Sequence, residues 1–213
     1  MEHRAGPVSS AWLADRLGGP LREASAELGT SELEQLARYV ELVLDWGARV
    51  NLTGARTRES LADEHLADAL VVLSHLPPGP FRFVDVGSGA GLPGLVLAVI
   101  RAEARGVLLE PIRTKHAFLA HAVRELGLAG RVEARAERLE AHLAGGAASA
   151  YDVAISRATW PVAHWLELGR PLVRPGGRIF GFEGAKPAEL PAGAARHPYV
   201  LGARRRALVV LEP

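Results

Sequence analysis

The stretch Phe83-Val84-Asp85-Val86-Gly87-Ser88-Gly89-Ala90-Gly91-Leu92-Pro93-Gly94 decides how the rest of the chain is read. Its first four residues are an apolar run carrying one carboxylate, which predicts a buried strand over 81–86. Glycines follow at every second position, and the apolar run after them predicts a helix over 92–101. Open α/β sheets bind their ligands just beyond the carboxyl ends of such strands. Glycine at that point lets the backbone turn tightly and come close to a ligand.

The same texture continues outward. Strands are predicted over 106–110, 131–135, 151–156 and 178–182, with a closing pair over 199–203 and 207–211. Helices are predicted over 113–126, over 137–143, and through Trp165 and Leu168. Strands alternating with helices predict an α/β fold, a Rossmann-like, mostly parallel seven-stranded sheet covered on both faces. Before it, residues 1–78 read as a helical extension packed on a core of residues 79–213, together one structural domain. Ser31 and Glu34 fit a capping box, with Leu33, Leu36, Val40, Val43 and Leu44 at helical spacing. A second helical pattern runs from Leu61 to Leu73 and stops at Pro77-Pro78. Residues 46–54, 145–150 and 184–195 read as loops.

Composition narrows the classes. A chain of 213 residues fits one domain with a modest extension, and 48% hydrophobic residues supply a core. Without cysteine there is no disulfide and no thiolate metal site, which agrees with a reducing cytoplasm. No metal site is visible, and His116 and His121 read as surface residues. The longest apolar run, 92–100, is too short to span a bilayer, so no membrane is expected. Charged residues interrupt the N-terminus, and no secretory leader is expected. A net charge of +1 leaves any nucleic-acid contact to local patches. Those are almost entirely arginine, whose forked donors suit phosphate. They cluster at Arg49, Arg56 and Arg58, at Arg101 and Arg105, at Arg131, Arg135 and Arg138, and at Arg204–Arg206.

Three readings of the glycine loop stand open. Gly89-x-Gly91-x-x-Gly94 matches a dinucleotide fingerprint, whose helix N-terminus receives a pyrophosphate. A plain strand-to-helix turn needs no ligand. S-adenosylmethionine is favoured, because Asp85 opposes a pyrophosphate and suits an ammonium group. Glu110, about 20 residues on, is positioned for ribose hydroxyls in either cofactor. Arg135-Ala136-Glu137 follows the third strand, where an adenine ring would reach.

Together these segments resemble one family, the bacterial small-subunit rRNA guanine-N7 methyltransferases formerly called glucose-inhibited division protein B. Trp46-Gly47-Ala48-Arg49-Val50-Asn51-Leu52-Thr53 is similar to the family's W-N-x-x-x-N-L-T stretch, and His65-Leu66-Ala67-Asp68-Ala69-Leu70 to its H-x-x-D-S-L. The glycine loop with its Pro93-Gly94, Lys115-His116-Ala117-Phe118-Leu119, Arg135-Ala136-Glu137 and Ser156-Arg157-Ala158 also match. The resemblance runs from about Leu33 to Leu211 and implies a cytoplasmic, monomeric class I methyltransferase. Its cofactor would be S-adenosylmethionine, and its substrate N7 of a guanine in 16S rRNA of the small ribosomal subunit. It implies cofactor contacts at Gly87, Leu92, Ala136, Glu137 and Arg157; Asp85, Gly89 and Glu110 join them from the residue reading above.

Guanine N7 has a free lone pair, so the reaction asks for positioning rather than a general base. Arg157 and Asn51 are the residues expected on the acceptor side. Thr53, His65 and Asp68 are expected to fold over the glycine loop, with His65 and Asp68 sharing a helix face. Trp160 is a packing residue or a surface for an extruded base. The chain departs from the family at Glu183, where Lys is usual, and at Glu212. Glu183 is expected near the target pocket, where its charge would weaken RNA binding. A same-fold enzyme acting on another RNA or a small molecule is the alternative this motivates. A dinucleotide oxidoreductase is less favoured, because no Tyr-x-x-x-Lys pair is present.

Overall fold

Strand β1 (Arg82–Val86) pairs in parallel with β2 (Arg105–Leu109) on one side and β4 (Tyr151–Ser156) on the other. Next to these, β3 (Val132–Arg135) and β5 (Val173–Glu183) extend the parallel sheet outward. An antiparallel hairpin of β6 (Ala194–Leu201) and β7 (Arg204–Leu211) completes it, with β7 against β5. The order β3-β2-β1-β4-β5-β7-β6 reverses direction between β1 and β4. A crevice opens at such a switch point, above the carboxyl ends of the strands. This is a computed structural model, and it describes residues 7–213. Residues 1–6, on which the start of the expected extension falls, lie outside the described residues.

Two helices precede the sheet, α1 (Ser10–Glu23) and α2 (Thr30–Gly47). Next come α3 (Arg58–Ser60), a π-helical turn Leu61–Leu66 and α4 (Ala67–Leu70), without a break. The crossovers are α5 (Gly94–Ile100), α6 (Arg113–Glu125), α7 (Leu139–His142) and α8 (Val162–Gly169).

The sequence reading takes residues 1–78 as helical but does not place α1 within them. That helix starts where Ser9 accepts a hydrogen bond from the Trp12 amide, and it buries Leu13, Leu17 and Leu21. Its second half contains Gly18, Gly19 and Pro20, which read as breakers; the buried leucine stripe outweighs them. The expected Ser31–Glu34 capping box does not form. Helix α2 begins two residues earlier, at Thr30 with Gly29 as its cap, so Ser31 already lies inside. Strand β5 starts at Val173, ahead of Pro175-Gly176-Gly177, because Val173 pairs with Tyr151 across an irregularity in the ladder. Strand β6 reaches back to Ala194 and carries Pro198, which an edge strand tolerates. Residues 143–147, partly expected as loop, form a π turn that Gly146 closes with φ 92°.

The α1–α4 region shares one apolar cluster with the sheet. Leu13, Leu36 and Leu66 join Phe83, Leu95 and Phe118 in it. The opposite face is closed by α8, where Trp165 and Leu166 meet Val84 and Ile179. Within the first cluster the Phe83 ring lies over Gly106, its partner on β2. A Cβ at 106 would stand 2.1 Å from that ring.

Candidate functional site

The loop after β1 is held by its own backbone. The Gly87 and Ser88 amides both donate to the Leu109 carbonyl, and the Ser88 hydroxyl donates to the Asp85 carbonyl. Gly87, Gly89 and Gly91 have φ of 74°, 57° and 85°, a region that side chains other than glycine rarely enter. Two carboxylates fasten the loop from below and beside. Asp85 Oδ2 accepts from the Gly94 amide at 2.9 Å. Glu110 accepts from the Gly89 amide through Oε2 and the Ile112 amide through Oε1.

Asp85 is fully buried, and its Oδ1 has no hydrogen-bond partner among the described residues. Burial pushes this carboxyl up to about 7, against the pull of the Gly94 amide and the Arg157 charge. A buried acceptor left without a donor is costly, so it marks either strain or a place a ligand completes.

Above the loop lies a cavity of about 480 Å³. Gly87, Gly89, Leu92, Glu110 and Arg157 line it, together with Leu52, Thr53, His65, Ile112 and Lys115. The remaining expected site residues stand elsewhere. Asn51 is exposed beside Leu52, Asp85 is under the loop, and Ala136 is exposed beyond β3. Glu137 Oε1 lies 2.7 Å from His142 Nδ1, whose other nitrogen is 2.7 Å from the Tyr151 hydroxyl.

Arg157 follows β4, and the residue after it, Ala158, has a positive φ of 60°. The Arg157 side chain reaches back to the helical region. Nη1 donates to Asp68 Oδ2 at 2.9 Å, and Nη2 lies 3.3 Å from His65 Nδ1. His65 and Asp68 thus converge on Arg157 rather than on each other. Burial, then the adjacent Arg157 charge, hold the His65 imidazole below its usual range. Asp68 is fully buried and also meets Tyr199 and Arg206. Asp152, five residues before Arg157, pairs with Arg174 and accepts from the Arg82 amide.

Sequence reasoning passed over Tyr39 and Tyr199, and took Arg206 only as part of the Arg204–Arg206 basic cluster, whereas it meets Asp68. Tyr39 sits on the buried face of α2 and donates its hydroxyl to the Ala90 carbonyl of the glycine loop at 2.8 Å. A tyrosine in an apolar stripe was the available signal, since a buried hydroxyl needs a partner.

Glu183 requires a correction. It does not line the cavity; it is 5% exposed and grips Arg196 with both oxygens, at 2.6 and 3.0 Å. It also accepts from the Ala188 amide, so it pins the 184–195 segment to the sheet. Glu183→Lys is therefore expected to lower stability by about 2 kcal/mol, by leaving Arg196 facing a second cation. RNA affinity should be unchanged once the variant is folded. A gain in RNA affinity with no loss of melting temperature would contradict this placement. Glu212 pairs with Arg178.

Other expectations resolve locally. Trp160 stacks on Trp165 at 5.8 Å, and the Trp165 Nε1 donates to the Phe180 carbonyl. His116 and His121 are half-buried rather than free on the surface, against the Ala134 carbonyl and the Trp46 ring. Arg49, Arg56 and Arg205 are exposed. Arg101 and Arg131 are engaged with backbone carbonyls, and Arg204 with Glu64. Among the described residues no cluster of three or more His, Asp or Glu could hold a metal ion. None of their helices is long and apolar enough to cross a membrane.

Comparison with known proteins agrees with this geometry. A methyltransferase from Geobacter sulfurreducens superposes with a TM-score of 0.58 at 15% identity, covering 92% of this chain and 96% of that one. A Corynebacterium glutamicum protein gives 0.57 at 17% identity over 93% and 97%. These likenesses bear on the fold, which is that of the Rossmann-like class I methyltransferases. Among curated sequences, Ribosomal RNA small subunit methyltransferase G of Halorhodospira halophila is 39% identical over 80% of this chain and 80% of its own. Its namesake from Azoarcus sp. is 34% identical over 92% and 95%. The model of the GidB family, rRNA small subunit methyltransferase G, matches residues 32–212, and the chain belongs to that family.

Proposed function

We propose that this methyltransferase transfers a methyl group from S-adenosylmethionine to N7 of a guanine in 16S rRNA, on the small ribosomal subunit. It would act in the cytoplasm, as a monomer, with residues 1–78 and 79–213 working as one unit around their shared core. The observation that carries the reading is the cavity at the switch point, walled by the glycine loop on one side and Arg157 on the other.

The residues present fit the cofactor. The cavity falls within the roughly 300–1,000 Å³ usual for small-molecule sites. A Cβ at Gly87 would stand 2.4 Å from Thr159 Oγ1, so bare backbone forms that wall. Asp85 argues against a pyrophosphate and for a ligand bearing an ammonium group, and Glu110 suits ribose hydroxyls without choosing between the two cofactors. When bound, S-adenosylmethionine supplies an electrophilic methyl group.

The chain's residues then divide the work. Gly87, Gly89 and Leu92 shape the backbone wall, and Asp85 supplies a negative charge beneath it. Glu110 holds the loop and receives ribose hydroxyls, and Ala136 and Glu137 approach the adenine side. Arg157 holds an anion, either the cofactor carboxylate or a target phosphate, and Asn51 lies at the acceptor's entrance. No residue need take a proton before attack, so orientation is the main demand.

Labelled methyl transfer to small subunits from cells lacking this modification tests the proposal. The expected product on nucleoside analysis is 7-methylguanosine in 16S rRNA. Transfer to another RNA or a metabolite instead would select the alternative acceptors. Gly87→Val is expected to weaken cofactor binding by about 100-fold, near 3 kcal/mol, as measured by calorimetry; undiminished affinity would remove the loop from the site.

A further inference from the structure

We propose that Asp68 is a positioning residue for Arg157: its buried carboxylate sets the guanidinium in the cavity wall and ties it to the β6–β7 hairpin. The inference rests on the reading of Arg157 as a cavity residue that meets the cofactor or the RNA.

The geometry is specific. Asp68 lies on α4 and is fully buried, yet three donors from distant parts of the chain meet on it. Arg157 reaches Oδ2 at 2.9 Å, and the Tyr199 hydroxyl donates to Oδ1 at 2.5 Å. Arg206 Nη1 lies 3.2 Å from Oδ2. Both oxygens are thereby committed, and the carboxylate cannot rotate without losing a partner. A guanidinium is a planar fork, so fixing Nη1 on Asp68 and Nη2 on His65 Nδ1 fixes the whole plane. His65 accepts there, so its proton is on Nε2.

Charge supports the same role. Two guanidinium groups share one buried carboxylate, and His65 beside them is neutral. One positive charge is left beside the cavity. Without Asp68, Arg157 and Arg206 would repel each other, and Arg157 would turn out of the wall. Misplacing a positioning group by about 1 Å can cost on the order of 100-fold in rate.

Asp68→Asn keeps the size of the side chain and removes its charge. Three measurements on the full chain are decisive: calorimetric binding of S-adenosylhomocysteine, kcat on small ribosomal subunits, and solvent exchange of the Arg157 guanidinium protons by nitrogen-15 NMR. The expected result is faster Arg157 exchange with about a 100-fold lower kcat or about a 10-fold weaker ligand. Combining it with Arg157→Lys should cost no more than Arg157→Lys alone, because both changes remove one unit. Losses that multiply, or unchanged Arg157 exchange, would overturn the proposal even where stability falls. If Asp68→Asn does not fold, Tyr199→Phe carries the test, since it removes one donor and leaves the charge. Arg157 exchange should then quicken and kcat fall several-fold; no change in exchange overturns the proposal. Failure of the rRNA reading would show separately, as a parent protein that binds S-adenosylhomocysteine but methylates no 16S rRNA.

Discussion

Gly106→Val is expected to destabilise the protein by about 3 kcal/mol or more, the upper range for overpacking a core. For a chain of this length that lowers the melting temperature by roughly 6–12 °C. The cause is local. Gly106 faces Phe83 across the parallel β1–β2 ladder, and a Cβ would come 2.1 Å from the ring. Phe83 is completely buried and has no open space to turn into. The Gly106 backbone is held by its ladder and by its amide bond to the Arg131 carbonyl, so β2 cannot move aside. Phe83→Leu should recover part of the loss when combined with Gly106→Val, as expected for residues in direct contact. Additive losses in the double variant would mean that the two side chains do not compete for one volume.

The second large effect concerns Asp85 and changes with pH. In the folded chain its carboxyl is pushed up from 3.8 to about 7 by burial. Between those two pH values the folded protein holds one proton more on Asp85 than the unfolded chain does. Stability therefore falls as pH rises through this window and levels off above about 7. Asp85→Asn removes the ionisation. It should be more stable than the parent above pH 7, by on the order of 4 kcal/mol, and the advantage should vanish near pH 4. Denaturant melts across this range give the result directly. The same variant should bind the cofactor more weakly, because it lacks the charge that balances an ammonium group. A stability difference that does not vary with pH would show that Asp85 is not the buried acid this fold makes it.

The central parallel strands β1, β2 and β4 were readable because each carries a short apolar run bounded by glycine, proline or charge. The glycine loop was readable because its spacing has few other uses. What escaped had one of two causes. Gly18, Gly19 and Pro20 disguised α1, because local propensity opposes what the buried Leu13–Leu17–Leu21 stripe achieves in tertiary packing. Long-range partners were the other cause. Nothing near Glu183 in sequence announces Arg196 across a segment that reads as loop, so its charge was assigned to the pocket. Likewise Arg157, the shared partner of His65 and Asp68, is 92 and 89 residues away, although His65 itself lines the cavity above the glycine loop. The cavity residues Gly87, Gly89, Leu92, Glu110 and Arg157 lie on segments with local signatures. Tyr39 offers only its place in an apolar stripe, and its partner, the Ala90 carbonyl, is visible only in the fold.

The Asp68 junction has a consequence for synthesis on the ribosome. Its acceptor, on α4, is translated well before two of its donors, Tyr199 and Arg206, which follow it by 131 and 138 residues. A nascent chain holding the glycine loop and Arg157 would still lack the hairpin that completes the junction. The guanidinium is locked only after β6 and β7 have joined the sheet. A site ordered through strands that follow it in the chain gains its full geometry only once those strands have been made and have joined the sheet.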